Sequence, residues 1–399
     1  MPNLLQLLLI LVIIVLGSKL AGALAVRFGQ PAVFGELLSG LILGPSFLNI
    51  LGWGTFSDPT LHVTVKDMAE LGVIFLMFLA GMETDLGEMR KVGLAATLGA
   101  TGGVLLPWVG GTLLSLAFGF SFPESLFIGV ILTATSVSIS AQTLMEMGKL
   151  RSKVGTTILG GAVIDDIMGI IALSVVVAFY GNGGGGEGGA ASIWVVTVKM
   201  VAYFALAIGV GGWLLPRATA FFDRLPASEM VLAWALAVGL FYAWAAQAFG
   251  QVAAITGAYI AGVLFAQTKF HHYLAERLKI VAYGLFVPIF FASIGLEADI
   301  HALSGGIVYT LLILVVAVLA KIVGAGLGAR VAGMTNTESL RFGVGMVSRG
   351  EVALIVSGIG LASGIIGNRI FSIMVIMTLV TTLATPIMLR ASFGREEKN

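Results

Sequence analysis

The sequence has 399 residues, of which 58% are hydrophobic, 11% are charged and 54 are glycine. Soluble domains carry roughly 25% charged residues, so this composition excludes a soluble enzyme and a disordered protein, and a net charge of +1 excludes a strongly basic nucleic-acid-binding surface. The chain has no cysteine, hence no disulfide and no thiolate metal site. Its apolar runs are continuous, which is typical of an all-α polytopic membrane protein and not of alternating barrel strands.

Thirteen segments are apolar and long enough to be membrane-spanning helices, each of which needs roughly 20 residues. Their approximate limits are 3–26, 31–50, 67–82, 92–119, 123–145, 153–180, 191–215, 228–249, 251–268, 280–296, 303–329, 337–363 and 367–389. No basic residues precede the first segment, so we expect a retained span and not a cleaved signal peptide. Because the sequence ends soon after the last segment, we also expect no cytosolic regulatory domain.

The basic residues predict how these spans are oriented. With thirteen spans, the loops and the C-terminus on one side carry sixteen of the 22 Lys and Arg residues, whereas the other side carries only Lys66 and Arg369. The remaining four lie inside spans. Basic residues concentrate on the cytoplasmic side of a membrane. We therefore expect the N-terminus outside and the C-terminus in the cytoplasm. We also expect a location in the inner or plasma membrane of a prokaryote.

A run of hydroxyl residues occupies the middle of the fifth segment, from Thr133 to Ser140. Hydroxyl residues are poor helix formers, and a break within this run would present oxygen atoms to a small hard cation. The alternative interpretation is a helix interface that packs through small polar side chains.

Two adjacent carboxylates, Asp165 and Asp166, lie near the middle of the sixth segment with apolar residues on both sides. Ionisable groups at membrane depth are costly and mark transport sites by default. Neighbouring residues on a helix point about 100° apart, so one carboxylate can meet a protein partner while the other faces a water-filled cavity. The alternative is a structural pair satisfied by nearby hydroxyls.

Lys321 lies too deep in the eleventh segment to reach the interface, because Arg330 already marks the cytoplasmic end of that segment. A buried lysine needs an anion, and the aspartate pair is the natural one. We pair Lys321 with Asp165 and leave Asp166 facing the cavity. The alternative is a packing salt bridge without a role in transport.

Arg349 and Glu351 lie among glycines in the twelfth segment, which suggests a second broken helix. Arg349 needs carboxylate partners, and Glu351 and Glu83 are the candidates. We expect these three residues to form a structural charge network more than an ion site.

Segments four to six and eleven to thirteen are separated by seven spans, an odd number, so equivalent helices run in opposite directions. This is the arrangement of an inverted repeat in secondary transporters. The middle helix of each unit is the one rich in small or polar residues. We therefore expect two broken helices that cross near the middle of the membrane, close to the aspartate pair and Lys321.

Four stretches of the sequence resemble the monovalent cation:proton antiporter family of the Kef/NapA type, within the larger sodium/proton exchanger fold. They are Phe34-Gly35-Glu36 with Gly44-Pro45, Phe78 to Asp85, Val163 to Asp166, and Ser348 to Glu351. The order and spacing fit nearly the whole chain. The Asp-Asp pair after a Ser/Thr-rich break is the specific feature, and the other stretches support it.

The resemblance implies a homodimer with two domains in each subunit. The core (transport) domain covers roughly 67–180 and 303–390, and the dimer (scaffold) domain covers roughly 1–66 and 191–300. Asp166 matches the carboxylate that binds cation and proton in turn, and Asp165 matches the carboxylate that pairs with the lysine, here Lys321. Thr135 and Ser136 fall at the first break.

The resemblance also implies the activity: exchange of Na⁺, with Li⁺ and K⁺ as further candidates, for H⁺ by alternating access. The Asp-Asp pair with a lysine is similar to the electrogenic class, which moves more protons than cations. The expected partners are the cation, the proton and membrane lipids, with no cofactor. Kef-type relatives carry a cytosolic nucleotide-binding domain; because we expect none here, we also expect a simple exchanger without nucleotide gating.

Two other transport classes fit the composition. A sodium-coupled symporter of an organic solute would need a roomy polar cavity, and a channel would need a re-entrant filter, which the sequence does not show. An enzyme is disfavoured because no motif places a nucleophile beside a base. Ion flux without any organic solute distinguishes the antiporter from the symporter.

Overall fold

The structure, a computed structural model, describes residues 3–28, 30–56, 58, 60–84, 86–180, 188–296 and 307–394. The described residues form helices joined by short loops and contain no strand. The helices of the N-terminal half are α1 (Asn3–Arg27), α2 (Ala32–Leu43), α3 (Leu61–Met82), α4 (Leu86–Ala117), α5 (Phe122–Thr133), α6 (Val137–Glu146), α7 (Lys153–Tyr180) and α8 (Gly188–Phe222). Those of the C-terminal half are α9 (Met230–Ala245), α10 (Ala254–Ala266), α11 (His271–Val281), α12 (Val287–Leu296), α13 (Ile307–Val331), α14 (Asn336–Gly345), α15 (Glu351–Ala362) and α16 (Asn368–Phe393).

Nine helical stretches of the described chain are long and apolar enough to cross a membrane, by length and composition. Three shorter apolar helices, of 10–17 residues, lie among them. The outward faces of α1 and α8 carry large apolar side chains: on α1, Leu8 is 50% exposed and Leu20 is 71% exposed. Rows of this kind suit a lipid environment, in which apolar surface needs no protein cover. The expectation of an all-α polytopic membrane protein is confirmed.

Both predicted helix breaks are present. α5 stops at Thr133 and α6 starts at Val137, while α14 stops at Gly345 and α15 starts at Glu351. We call the two breaks, residues 134–136 and 346–350, the crossover. They are joined directly, because the Ser136 N–H donates to the Ser348 carbonyl at 2.8 Å and the Ser348 hydroxyl donates to the Ser136 carbonyl at 2.6 Å. Each break thus satisfies polar backbone groups of the other inside the protein, as irregular backbone at membrane depth requires.

Glycines bring α4 and α13 into close contact beside the crossover. A Cβ on Gly324 would lie 2.2 Å from the Gly102 carbonyl oxygen, and a Cβ on Gly102 would lie 2.1 Å from that of Gly324. Small residues at such points let backbones of membrane helices approach. This contact fixes α13, and with it Lys321, which lies one turn before Gly324 and is completely buried.

Several helix limits differ from the sequence prediction. The span predicted at 280–296 begins earlier, at His271, the first residue of α11. α11 continues through a π-helical turn, Ala282–Phe286, into α12. Its first turns carry charged residues, so a search for apolar runs missed them. However, Leu274 and Leu278 are four residues apart and both 1% exposed, which is the spacing of one helix face.

α3 likewise begins at Leu61 and not near 67, because its start is amphipathic. α2 ends at Leu43, before Gly44-Pro45, because the residue before a proline is disfavoured in helical geometry.

Candidate functional site

The two predicted carboxylates lie in the middle of α7, beside the crossover. Asp165 is 2% exposed. The Lys321 ammonium donates to its Oδ1 at 2.8 Å and also to the Thr133 carbonyl at 2.7 Å. Thr133 is the last residue of α5, so its carbonyl has lost its helical partner. Lys321 therefore makes the ion pair expected from the sequence and, in addition, satisfies the broken end of α5.

Asp166 points elsewhere, toward a small cavity and α10. The cavity, of about 40 Å³, is lined by both aspartates, by Thr133 and Ala134 at the end of α5, and by Ala253 before α10. One Asp166 oxygen, Oδ2, accepts a hydrogen bond of 2.7 Å from the Thr256 hydroxyl. The adjacent carboxylates thus have different surroundings: Asp165 meets a cation of the protein, and Asp166 meets a cavity large enough for a water-sized group.

The hydroxyl run of the fifth segment mostly holds the crossover together. The Ser140 hydroxyl donates to the carbonyl of Gly345, the last residue of α14, and Ser136 exchanges a hydrogen bond of 2.9 Å with Ser138. The Thr135 hydroxyl lies 3.4 Å from the Met346 carbonyl and also within hydrogen-bonding reach of Asp165. The structure therefore brings Thr135 to the aspartate pair, whereas Ser140 performs the packing role of the alternative interpretation.

Arg349 is completely buried in the second break. Its guanidinium donates to three backbone carbonyls: Val347 at 3.1 Å, Leu132 at 2.7 Å and Ala317 at 3.0 Å. It thereby ties the second break to the end of α5 and to α13, so its structural role rests largely on carbonyl oxygens. The Asp165 carboxylate also lies within electrostatic range of it.

Glu83 requires a correction. The sequence offered it as a carboxylate partner of Arg349, but it lies just after α3 and pairs with Lys279 at 2.5 Å and more distantly with Arg151 at 4.0 Å. Glu83 therefore belongs to a separate charged cluster with Lys279 and Arg151, just after the end of α3. The side chain of Glu351 and the whole of Asp85 lie outside the described residues.

Glu83 borders a second cavity, of about 670 Å³, that the sequence did not predict as a unit. In its wall the Glu146 carboxylate accepts hydrogen bonds from the backbone N–H groups of Ala32 and Val33, at 2.6 and 3.2 Å. Since those N–H groups open α2, they lack helical partners, and a carboxylate is favoured there. This contact joins α6 to α2 and could not be foreseen from residues so far apart in the chain.

Thr256 is the site residue that the sequence analysis missed. It lies in an apolar segment and cannot ionise, so a search for charges at membrane depth passes over it. The available signal was weak: it is a single hydroxyl residue in the run Ala253 to Ala258.

Comparison with known proteins identifies the family. The model of the transmembrane sodium/hydrogen exchanger family matches residues 10–393. The Na⁺/H⁺-K⁺ antiporter GerN of Bacillus cereus is 39% identical over 97% of this chain and 96% of its own length. A Na⁺/H⁺ antiporter of Enterococcus hirae is 34% identical over 96% of each chain.

The structure of the sodium proton antiporter MjNhaP1 from Methanocaldococcus jannaschii at pH 8 is similar in fold. It superimposes with a TM-score of 0.73 at 17% identity, over 98% of this chain and 97% of that one. The resemblance to sodium/proton exchangers drawn from the sequence motifs is confirmed. The chain belongs to the sodium/hydrogen exchanger family.

Proposed function

We propose that this exchanger-family protein moves Na⁺ and H⁺ in opposite directions across the cell membrane by alternating access. The names of its relatives support Na⁺ and H⁺ as substrates, and that of GerN adds K⁺. The observation that carries the proposal is the asymmetry of the aspartate pair. Asp165 is bound to Lys321 at 2.8 Å, whereas Asp166 faces a cavity beside two broken helices.

Asp166 is the carboxylate for which the cation and the proton compete. In the ionised form it attracts a cation, and oxygen atoms at the first break, including those of Thr135 and Ser136, complete the shell that a hard cation prefers. In the protonated form it releases the cation. Because one carboxylate serves both ions, exchange is obligatory and needs no separate gate.

Lys321 makes the exchange electrogenic. It holds Asp165 while the site is empty, and a cation that binds between the aspartates displaces it. A lysine that loses its carboxylate partner in a buried site loses its proton readily. The protein then moves more protons than cations in each cycle, as the resemblance to the Asp-Asp class implies.

The motion takes place between a scaffold and a core. We assign α1–α3 and α8–α12 to the scaffold and α4–α7 and α13–α16 to the core. The sequence placed residues from 67 onward in the core. Packing supports moving α3 to the scaffold, because a Cβ on Gly81 of α3 would lie 2.2 Å from the carbonyl of Tyr259 in α10.

Two cavities support alternating access. One, of about 450 Å³, lies near the start of α3, between Lys66 and Glu70 on one side and α15 and α16 on the other. The other is the 670 Å³ cavity next to Glu83, just after the end of α3. Both lie between the proposed scaffold and core, and they are at opposite ends of α3. Movement of the core past the scaffold would open each toward Asp166 in turn.

The proposed topology has thirteen crossings, with each broken pair and the α11–α12 stretch counted once. The units α4 to α7 and α13 to α16 form an inverted repeat, each with the broken helix in its middle. The N-terminus is outside and the C-terminus is cytoplasmic. Two such chains associate as a homodimer through their scaffolds.

Proteoliposomes with an imposed pH gradient test the proposal. Added Na⁺ is expected to dissipate the gradient with the unaltered protein and to fail to do so with Asp166→Asn. The control is Asp223→Asn, which alters an aspartate paired with Lys269 at 3.6 Å on the surface and is expected to exchange normally. Full exchange by Asp166→Asn would overturn the assignment. The same assay with Li⁺ and K⁺ at a clamped membrane potential gives the selectivity and the stoichiometry.

The symporter alternative is not favoured. Sites for organic ligands enclose roughly 300 Å³ or more, whereas the cavity lined by the two aspartates is about 40 Å³. The larger cavities, of about 450 and 670 Å³, include neither aspartate in their lining. Na⁺-dependent proton flux without any organic solute distinguishes the two.

A further inference from the structure

Thr256 contacts the proposed ion-binding carboxylate from outside the core. Its hydroxyl donates to Asp166 Oδ2 at 2.7 Å, and its side chain is almost fully buried. Thr256 is the third residue of α10.

The position of Thr256 in α10 explains why its hydroxyl is available. Several buried threonines inside helices of this protein donate to the carbonyl four residues earlier, as Thr143 does to Ile139 and Thr219 does to Leu215. Four residues before Thr256 the chain is not helical, because α10 starts at Ala254. The Thr256 hydroxyl therefore lacks a helical carbonyl four residues earlier to which it could donate, and it donates to Asp166 instead.

The contact also crosses the boundary at which motion is proposed. α10 packs tightly on α3 in the scaffold, because a Cβ on Gly262 would lie 2.1 Å from the Phe78 carbonyl. Asp166 belongs to α7 in the core. A hydrogen bond between two bodies that move past each other exists in only part of the cycle.

We propose that Thr256 is a positioning residue for cation binding, which holds the ionised Asp166 carboxylate through a scaffold-to-core hydrogen bond. The inference rests on the proposed function, since it takes Asp166 as the site at which cation and proton compete. A hydroxyl that donates to a carboxylate favours its ionised form, which is the form that binds a cation. Movement of the core away from α10 removes this bond and favours the proton.

The variant that isolates the hydroxyl is Thr256→Val, which has nearly the same shape. At a fixed pH, it is expected to raise the half-saturating Na⁺ concentration of exchange about tenfold, equivalent to about 1.4 kcal/mol, with little change in the maximal rate. Thr256→Ser keeps the hydroxyl and is expected to restore the value of the unaltered protein. The charged groups around Asp166 include Asp165 on the same helix and Lys321 on α13. Both remain unchanged in these variants.

A matched control is Thr268→Val. Thr268 is also buried, lies just beyond the other end of α10, and donates to the Phe265 carbonyl. It is expected to leave the half-saturating concentration unchanged. A second readout that needs no transport is the Na⁺-dependent rise of the thermal unfolding midpoint, which reports binding by mass action. If Thr256→Val is not recovered folded, Thr256→Ala tests the same loss.

The possible outcomes test the role of Thr256 and Na⁺/H⁺ exchange itself separately. A shifted Na⁺ dependence with Thr256→Val, restored by Thr256→Ser, supports the inference. An unshifted valine variant, or a serine variant as impaired as the valine variant, overturns it while leaving Na⁺/H⁺ exchange intact. An unaltered protein without Na⁺-dependent proton flux overturns the proposed function itself.

Discussion

Replacing Lys321 tests the electrostatic core of the site. The Lys321–Asp165 pair has an N–O distance of 2.8 Å, and its side chains are 0% and 1% exposed. Lys321→Met keeps most of the side-chain volume but removes the ammonium group, so that Asp165 is left as an unpaired buried carboxylate. The Thr133 carbonyl loses its donor at the same time.

The expected loss follows from the burial. Breaking a buried ion pair by removing one partner costs about 3–5 kcal/mol. The upper end of this range is set by protonation, because Asp165 can become neutral instead of remaining an unpaired charge. At pH 7.5, neutralising an aspartate whose reference pKa is about 3.9 costs about 5 kcal/mol. Since that cost falls by about 1.4 kcal/mol per pH unit, the variant is expected to regain stability as the pH is lowered.

The assay is thermal unfolding of the purified protein in detergent, followed through the fluorescence of its 6 tryptophans. With about 2.1 cal/mol/K of unfolding entropy per residue, a loss of about 4 kcal/mol lowers the midpoint by about 5 °C. Adding Asp165→Asn to Lys321→Met removes the unpaired charge and is expected to recover most of the loss.

The control is Lys153→Met. Lys153 pairs with Glu338 at a similar distance, 2.9 Å, but is 47% exposed. Exposed pairs contribute about 0–1 kcal/mol, so a change of about 1 °C or less is expected. Lys321→Met unfolding at the unaltered midpoint at pH 7.5, or a double variant no more stable than the single one, would refute the reasoning.

Two further substitutions test the packing by the same unfolding assay. Gly324→Ala places a Cβ 2.2 Å from the Gly102 carbonyl oxygen and is expected to destabilise the protein by about 1–3 kcal/mol. The control is Gly209→Ala, in which the new Cβ meets open space. Equal unfolding midpoints for the two variants would contradict the close packing of α4 on α13. Glu146→Ala removes the acceptor of two N–H groups that open α2 and is expected to cost about 1 kcal/mol, as the loss of a helix N-cap does. Alanine at Glu276, which is also exposed but lies inside α11, should have little effect, and a Glu146 variant equally unaffected would exclude a role for this contact.

Much of the candidate site was predictable because charges at membrane depth are rare. Asp165, Asp166 and Lys321 stand out in apolar surroundings, and their opposite signs favour an ion pair between Lys321 and one of the two aspartates. The break after Thr133 was also predictable, since the hydroxyl residues there are poor helix formers. The sequence pattern predicted the helical membrane fold for the same reason: a span must be apolar along its length.

The prediction for Glu83 was wrong because its partner was chosen by charge alone. The structure gives Arg349 three backbone carbonyl acceptors: Val347 in the second break, Leu132 in the last turn of α5 and Ala317 in α13. Every residue type carries a backbone carbonyl, so the sequence gives no signal for such a partner. Glu83 was free to pair with Lys279 and Arg151 once folding brought these helix ends together.

Residue types alone show which groups are costly to bury, namely the aspartate pair and the lysine, and these groups indicate the kind of protein. The neighbours of each aspartate are set by the fold: Lys321 for Asp165, and the cavity and Thr256 for Asp166. The cost of a buried charge is a property of the residue. Its compensation depends on distances of about 3 Å between helices far apart in the chain.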